Sequence, residues 1–186
     1  WTYSSIGPND RLARFSQYGL TCNTADQPDG QCSNYVVRYS SCAAPAATVS
    51  KYLRNVFTNK ELTAASSSLA KGQGHNGSWN TQQWALEPVA NTEYVRLRNT
   101  GTGVYLNVTS QAESATVGTA ASSTATSQMW LIEPVSGSAD VRLKNVWTGK
   151  YLTMADPASF QSTPDYLPLF SQGRNTGWTS QRWVLQ

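Results

Sequence analysis

The sequence has little charge and almost no histidine. Of 186 residues, 13% are charged, against about a quarter in average globular proteins. The net charge is +3, and no run of Lys or Arg favours a nucleic-acid partner. The one histidine, His75, lies in a Gly- and Asn-rich loop without the motif of a catalytic triad. We therefore expect neither a nucleic-acid partner nor a catalytic residue.

Long apolar runs, helical periodicity and cofactor motifs are also missing. No stretch approaches the roughly 18 apolar residues of a membrane-spanning helix, so no membrane partner is expected. Gly72-x-Gly74-x-x-Gly77 matches the letters of the dinucleotide fingerprint, but it precedes no predicted helix. Glu87 and Glu133 occupy equivalent repeat positions, which is typical of strand ends and not of an acid/base pair. We expect no cofactor.

Cysteine is confined to the first quarter of the chain, at Cys22, Cys32 and Cys42. A Cys22–Cys32 disulfide would close a loop of about ten residues and stabilise the fold by roughly 2–3 kcal/mol. Cys42 is then either free or the partner of a cysteine upstream of Trp1, and we prefer the second alternative. Three cysteines without further ligands at metal spacing make a poor zinc site, so no metal is expected.

Polar uncharged residues and aromatic residues are abundant in place of charged ones. Seven Trp and nine Tyr suit both a β core and stacking on sugars. Residues 35–39 are rich in β-branched and aromatic side chains and predict a strand. Residues 43–50 are small and uncharged, and we interpret them as a linker between a segment at 1–42 and a domain at 51–186. This composition favours a secreted all-β protein.

The most informative feature is a threefold repeat after the linker. A strand–turn–strand unit recurs, and its Asn falls at positions 55, 99 and 145, at spacings of 44 (99 − 55) and 46 (145 − 99). Each repeat ends on Gln-x-Trp, at Trp84, Trp130 and Trp183. The predicted repeats span 51–88, 93–134 and 140–186.

Units of about 45 residues cannot each bury an apolar face, but three can close around a pseudo-threefold axis. A propeller of three blades would be too small a ring. We therefore predict an all-β chain: a β-trefoil of three four-strand repeats, preceded by a small cysteine-containing β segment. Gly103 and Gly149 should supply the positive φ that the hairpin turns need, which Asn59 tolerates.

The triple Gln-x-Trp pattern resembles the ricin-B lectin family, or family 13 carbohydrate-binding modules, over residues 51–186. The resemblance implies a core Trp that the Gln braces through hydrogen bonds. It also implies a sugar site with an Asp in the second strand, a loop aromatic and an Asn before the Gln. This chain has Thr63, Asn107 and Thr153 at the Asp position, and Thr or Ser before each Gln. Sugar binding must therefore be argued from the loops.

The first 42 residues carry a weaker likeness. Residues 19–27 and 30–38, together with Cys42, resemble the C-terminal part of the cysteine-rich WxxW domain of mucins, although the WxxW end itself is not visible. The resemblance implies an incomplete extracellular module.

Repeats one and three have aromatic residues in turns where repeat two has none. Residues 73–81 match 172–180, and the tip of the first hairpin has Phe57 or Trp147 where repeat two has Gly101. An aromatic face can stack on a pyranose while neighbouring polar groups bind its hydroxyls. The candidate carbohydrate-binding residues are Trp178, Arg174, Asn175, Trp147, Tyr166, Trp79, His75, Asn76, Phe57 and Asn107.

Structural alternatives exist for these aromatics. Trp79 and Trp178 could cap the bottom of the barrel, and Phe57 and Trp147 could pack as hairpin tips. Repeat three has a long insertion at 156–170, which is either a functional loop or a rigid cover over the core.

Together these features predict a secreted, monomeric, non-catalytic module that binds a polysaccharide or oligosaccharide through repeats one and three. We expect it to be fused to a catalytic domain of a glycoside hydrolase or polysaccharide lyase. The alternative is a trefoil that binds proteins or inhibits a protease. Arg174, Lys150 and Arg182 allow an anionic glycan, but a neutral one is equally compatible.

Overall fold

The chain divides into two compact units, Trp1–Pro45 and Ala46–Gln186. A computed structural model describes residues 15–16, 19–20, 50–159 and 166–186. In the first unit, β1 (Phe15–Ser16) pairs with β2 (Gly19–Leu20) in antiparallel register. Cys22, Cys32, Cys42 and the predicted strand at 35–39 lie outside the described residues, so the disulfide stays a prediction.

The described part of the second unit contains twelve strands, four in each repeat. Repeat one has β3 (Ser50–Asn55), β4 (Glu61–Ala64), β5 (Ala70–Gln73) and β6 (Gln83–Pro88). Repeat two has β7 (Val95–Asn99), β8 (Tyr105–Val108), β9 (Ala115–Ala120) and β10 (Trp130–Pro134). Repeat three has β11 (Val141–Asn145), β12 (Tyr151–Met154), β13 (Leu169–Gln172) and β14 (Trp183–Leu185).

The first and last strands of each repeat pair into a closed antiparallel barrel in the order β3, β6, β7, β10, β11, β14. The middle strands of each repeat form hairpins, β4–β5, β8–β9 and β12–β13, that assemble as a cap. Cap strands β9 and β13 also pair with each other. Closure leaves no long open edge in the barrel. The predicted β-trefoil is confirmed.

The three tryptophans of the Gln-x-Trp pattern occupy equivalent core positions. Trp84, Trp130 and Trp183 are 0% exposed. Each indole Nε1 donates to a carbonyl in the second strand of its own repeat, at 2.9, 3.3 and 3.1 Å, from Leu62, Leu106 and Leu152 respectively. Burying a large apolar side chain stabilises a fold by roughly 1.5–3 kcal/mol. These residues therefore determine the fold and not a binding site, as predicted.

The buried glutamines contribute differently from what the family resemblance implied. Gln82 Nε2 donates to the carbonyl of Gly74 at 2.7 Å, and its Oε1 accepts from the amide of Asn76 at 2.7 Å. Gln181 makes the matching pair with Gly173 and Asn175, at 2.8 and 2.9 Å. The family resemblance implied hydrogen bonds from the glutamine to the Trp, and this expectation is corrected. The glutamine instead fixes the loop that precedes Gln-x-Trp.

A buried asparagine ends the first strand of each repeat and ties neighbouring repeats together. The Nδ2 atoms of Asn55, Asn99 and Asn145 donate to carbonyls of the preceding repeat in the ring at 2.8, 2.8 and 2.9 Å, namely those of Ser180, Thr81 and Ser127. Their Oδ1 atoms accept amides of their own hairpin turns. Each hairpin tip is thereby held against the turn of another repeat.

The hairpin turns use the positive φ that was predicted. Asn59, Gly103 and Gly149 have φ of 56°, 76° and 68°. The backbone reversal at these positions lets the Oδ1 atom of each buried asparagine accept hydrogen bonds from the turn amides.

The repeat-one loop at 65–69 packs on the cap of repeat two. Leu69 bridges to Gly118, and Ser68 accepts the amide of Thr119 at 3.3 Å. A Cβ atom at Gly118 would collide with the Ser68 carbonyl oxygen.

We predict that Gly118→Ala lowers the free energy of unfolding by about 1–3 kcal/mol, because backbone would have to move. Denaturant unfolding measures this. Gly77→Ala is the matched control, since its nearest neighbour would be His75 Nε2 at 3.8 Å. Equal stability of the two variants would contradict the packing of loop 65–69.

Candidate functional site

Four aromatic side chains stand out on the surface of the described residues. Phe57, Trp79, Trp147 and Trp178 are 48%, 43%, 39% and 45% exposed. Each of these side chains therefore presents part of its ring to solvent. Exposed apolar side chains of this size are the usual anchors of a binding surface.

Trp178 lines a cleft of about 480 Å³ beside the cap of repeat three, here called the repeat-three cleft. Trp178 comes directly before the 3₁₀ turn Thr179–Gln181, which Gln181 holds in place. Phe170 of β13 and Phe57 also line the cleft, and Asp156 adds a carboxylate. Three aromatic rings and one acidic group thus meet in one concavity.

Trp79 lines an equivalent cleft of about 540 Å³ beside the cap of repeat one, here called the repeat-one cleft. The two clefts correspond position by position, because they occupy the same place in two repeats. Lys71 stands where the repeat-three cleft has Phe170, and Gly101 stands where it has Phe57. The repeat-one cleft is therefore more polar.

Both clefts lie at junctions between repeats, which the sequence did not show. The tip of a hairpin joins the cleft of the preceding repeat in the ring, so Phe57 of repeat one faces the cleft of Trp178. Gly101 joins the cleft of Trp79, and a Cβ there would lie 2.9 Å from the carbonyl carbon of Asn80. Trp147 lies beside repeat two, where Gln111 Nε2 donates to its carbonyl at 3.2 Å. The hairpin-tip aromatics of repeats one and three therefore each lie beside the preceding repeat in the ring.

The matching surface of repeat two differs from both clefts. Ala125 occupies the position of Trp79 and Trp178. Loop 65–69 lies over Gly118, the cross-strand partner of Asn107. Asn107 is half-buried, and its cross-strand partner lies under this loop.

The polar residues predicted beside the tryptophans have structural contacts. Oδ1 of Asn76 and Oδ1 of Asn175 accept backbone amides two residues ahead, each at 3.0 Å, and so shape the two turns. His75 Nδ1 lies 3.2 Å from Oε1 of the buried Glu61, and its ring meets Tyr52 edge-on. His75 does not line the repeat-one cleft.

Arg174 and Tyr166 complete the predicted set. Arg174 occupies the position of His75, outside the lining of its cleft. It lies close enough to Tyr151 to oppose the rise in the pKa of that phenol, which burial and a hydrogen bond to Glu133 cause. The ring of Tyr166 receives the ammonium group of Lys71 at 5.2 Å. Tyr166 thus supports the repeat-one cleft, although it belongs to the repeat-three loop.

Two of the basic residues considered for an anionic ligand have acidic partners. Lys150 Nζ lies 3.2 Å from Glu113 Oε2, and Arg182 binds Asp140. Within residues 50–159 and 166–186, no cluster of His, Cys, Asp or Glu could hold a metal ion. No helix in these ranges is long and apolar enough to span a bilayer.

Comparison with known proteins agrees with the β-trefoil fold. Residues 80–164 match the profile of a family described as "Ricin-type beta-trefoil lectin domain-like". This region is therefore similar to ricin-type lectin domains, and the domain that contains it is called lectin-like below. No curated protein matches the sequence.

The fold of this lectin-like domain recurs in solved structures of low sequence identity. The designed threefold-symmetric protein ThreeFoil has 21% identity and a TM-score of 0.65, with 73% of this chain and 96% of that chain covered. The exo-β-1,3-galactanase 1,3Gal43A of Clostridium thermocellum has 21% identity, a TM-score of 0.63, and coverage of 75% and 30%. The Macrolepiota procera ricin B-like lectin in complex with lactose has 16% identity, a TM-score of 0.60, and coverage of 76% and 96%.

The lectin-like domain departs from the ricin-B pattern at the Asp position. Thr63 and Thr153 are buried, and their hydroxyls accept from the amides of Gln82 and Gln181 at 3.2 Å. They donate to backbone carbonyls as well. Hydroxyls that are satisfied in this way are poor primary sugar ligands. In the repeat-three cleft a carboxylate comes from Asp156 instead.

Sequence reasoning missed Phe170, Asp156 and Lys71 as lining residues. Phe170 pairs with Thr153 across the hairpin, and Lys71 pairs with Thr63. Cross-strand partners share a face of the sheet, so the hairpin register could have located both. The insertion in repeat three hid that register in the sequence.

Glu113 supports the loop of Trp178 through charge. Its Oε1 accepts the amide of Gly173 at 2.8 Å, and its Oε2 pairs with Lys150. The Gly173 hydrogen bond, aided by Lys150, holds the pKa of Glu113 below its ordinary 4.5 against the opposing effect of desolvation. A lowered pKa means that stability is present above pH 4.5 and is lost as the pH falls below it.

We predict that Glu113→Gln reduces stability at pH 7 by a small amount, because the carboxylate is 61% exposed and screened by solvent. The difference from wild type should shrink as the pH falls below 4.5. Urea unfolding between neutral and acidic pH measures it, with Glu93→Gln at an exposed turn as control. A difference that grows toward acid would contradict the assignment.

Proposed function

We propose that the lectin-like domain is a non-catalytic carbohydrate-binding module whose principal site is the repeat-three cleft. The observation that carries the proposal is the convergence of Phe57, Phe170 and Trp178 around one concavity with Asp156 at its side. Domains of this type are typically non-catalytic. Aromatic faces bind the C–H side of a sugar, while a carboxylate accepts its hydroxyls.

The expected affinity follows from the area that one sugar can cover. About 100 Å² of apolar surface is worth at most roughly 2–3 kcal/mol. One cleft therefore binds weakly, with a dissociation constant in the high-micromolar to millimolar range. Simultaneous binding of one polymer in both clefts raises the avidity without new contacts. A polysaccharide thus suits the domain better than a free monosaccharide.

We further propose that the protein is secreted, monomeric and attached to a catalytic domain of a carbohydrate-active enzyme. The low content of charged residues, 13%, supports this proposal, as do the predicted disulfide and the predicted linker at 43–50. Two similar folds support the ligand class, one in a galactanase and one in a lectin bound to lactose. Neither relative exceeds 21% identity. The specific glycan is therefore identified by a binding experiment and not from these relatives.

We predict that Trp178→Ala weakens polysaccharide binding at least 10-fold, because it removes the largest stacking face of the repeat-three cleft. Affinity electrophoresis through gels containing β-1,3-galactan, xylan or β-glucan measures this. Trp147→Ala is the matched control, since it removes a similarly exposed indole that lies outside both clefts. Its migration should match that of wild type within about 2-fold in affinity.

Thermal unfolding of both variants must match wild type, since neither indole is in the core. If no glycan on a broad array retards the wild-type protein, the proposal fails and a protein-binding trefoil is favoured. If Trp147→Ala abolishes binding and Trp178→Ala does not, the assignment of the cleft is wrong.

A further inference from the structure

The two clefts share their architecture and differ in charge. Lys71 of β5 pairs with Thr63, as Phe170 of β13 pairs with Thr153. Both side chains line their clefts at the same position. Because the two clefts are related by pseudo-symmetry, one can serve as an internal control for the other. Phe170 in one cleft corresponds to Lys71 in the other.

Lys71 lines the repeat-one cleft, and none of the other described residues that line this cleft is acidic. The described lining consists of hydroxyl, amide, small and aromatic groups together with this one lysine. In the repeat-three cleft the only charged group of the described lining is Asp156. The two clefts thus have opposite electrostatic character, since a charge in a concave site with low-dielectric walls dominates its local potential.

The ammonium group of Lys71 is positioned by an aromatic ring. It lies 5.2 Å from the ring centroid of Tyr166, within the range of a cation–π contact. A cation–π contact leaves the donor hydrogens on the other side free for an acceptor. The nearby cation Arg54 is instead paired with the buried Glu61 at 2.9 Å.

We propose that the repeat-one cleft selects an anionic sugar, with a carboxylate or sulfate bound by Lys71 and the pyranose face stacked on Trp79. The repeat-three cleft takes an uncharged sugar. The inference rests on the proposed function, because it assigns a ligand class to the second cleft of the same module. One polymer that carries both neutral and acidic units would occupy the two clefts together.

The test compares three oligosaccharides of equal length by calorimetry: a neutral galactan fragment, an oligogalacturonate and a sulfated galactan fragment. Lys71→Met should weaken binding of the anionic fragments on the order of 5-fold, the loss of one charge-assisted hydrogen bond. It should leave the neutral fragment unchanged. Lys144→Met is the matched control, because this lysine is near Glu133 and lines neither cleft.

The salt dependence of binding and two tryptophan variants provide further measurements. Raising the ionic strength from 0.05 to 0.5 M should weaken the anionic fragments only, since screening shortens the range of the lysine charge. Trp79→Ala should weaken the same fragments, and Trp178→Ala should weaken the neutral one. A larger effect of Lys71→Met on carboxylate than on sulfate identifies a uronate, and the reverse identifies a sulfated sugar.

The test distinguishes a failure of the charge selection from a failure of the proposed function. If the neutral fragment binds through Trp178 while Lys71→Met changes nothing, the charge selection is wrong and the module remains. If no fragment binds to wild type, the proposed function itself is wrong. Equal weakening of the neutral and the anionic fragments by Lys71→Met also overturns the selection.

Discussion

The buried asparagine at the end of each first strand is the contact on which the rest of the molecule depends. Its amide nitrogen reaches a backbone carbonyl of the preceding repeat, and its oxygen gathers the amides of its own turn. An unsatisfied buried amide would cost about 1–3 kcal/mol, so all three positions are strongly constrained. Together they join three incomplete units into one closed barrel.

The same contact builds the candidate sites. Because each asparagine holds a hairpin tip against the turn of another repeat, a cleft always combines residues from two repeats. Phe57 therefore serves the cleft of Trp178, although the two residues are 121 positions apart (178 − 57). A buried glutamine at each Gln-x-Trp pattern fixes the other wall by binding the loop backbone. The scaffold is symmetric, while the side chains that reach the clefts are not.

Loss of symmetry on the cap gives the three repeats surfaces that differ in chemistry. Gly101 lies against the backbone of Asn80, and a Cβ atom there would come within 2.9 Å of the carbonyl carbon. Loop 65–69 lies on Gly118 and covers that face of repeat two. Repeat three keeps Phe57, Phe170 and Trp178 together, and repeat one replaces an aromatic floor with Lys71. One repeated backbone thus offers surfaces of different chemistry.

Much of the fold was readable from the sequence because it rests on local patterns. Three Gln-x-Trp elements and three Asn-containing hairpins in register predict the trefoil, and positive φ at Asn59, Gly103 and Gly149 follows from turn chemistry. The four exposed aromatics were all among the candidate residues named from the sequence. Their grouping was not predicted, because the hydrogen bond from Asn55 to Ser180 joins positions that sequence adjacency does not relate.

The sequence by itself determined the strands, the number of repeats and the types of side chain available for binding. Only the tertiary structure decided which of them meet. Ring closure places the tip of one repeat beside the turn of another, and the hairpin register turns Lys71 and Phe170 into their clefts. His75 and Arg174 lie outside the clefts for the same reason. Proximity in a closed barrel is set by long-range strand pairing, which no local pattern encodes.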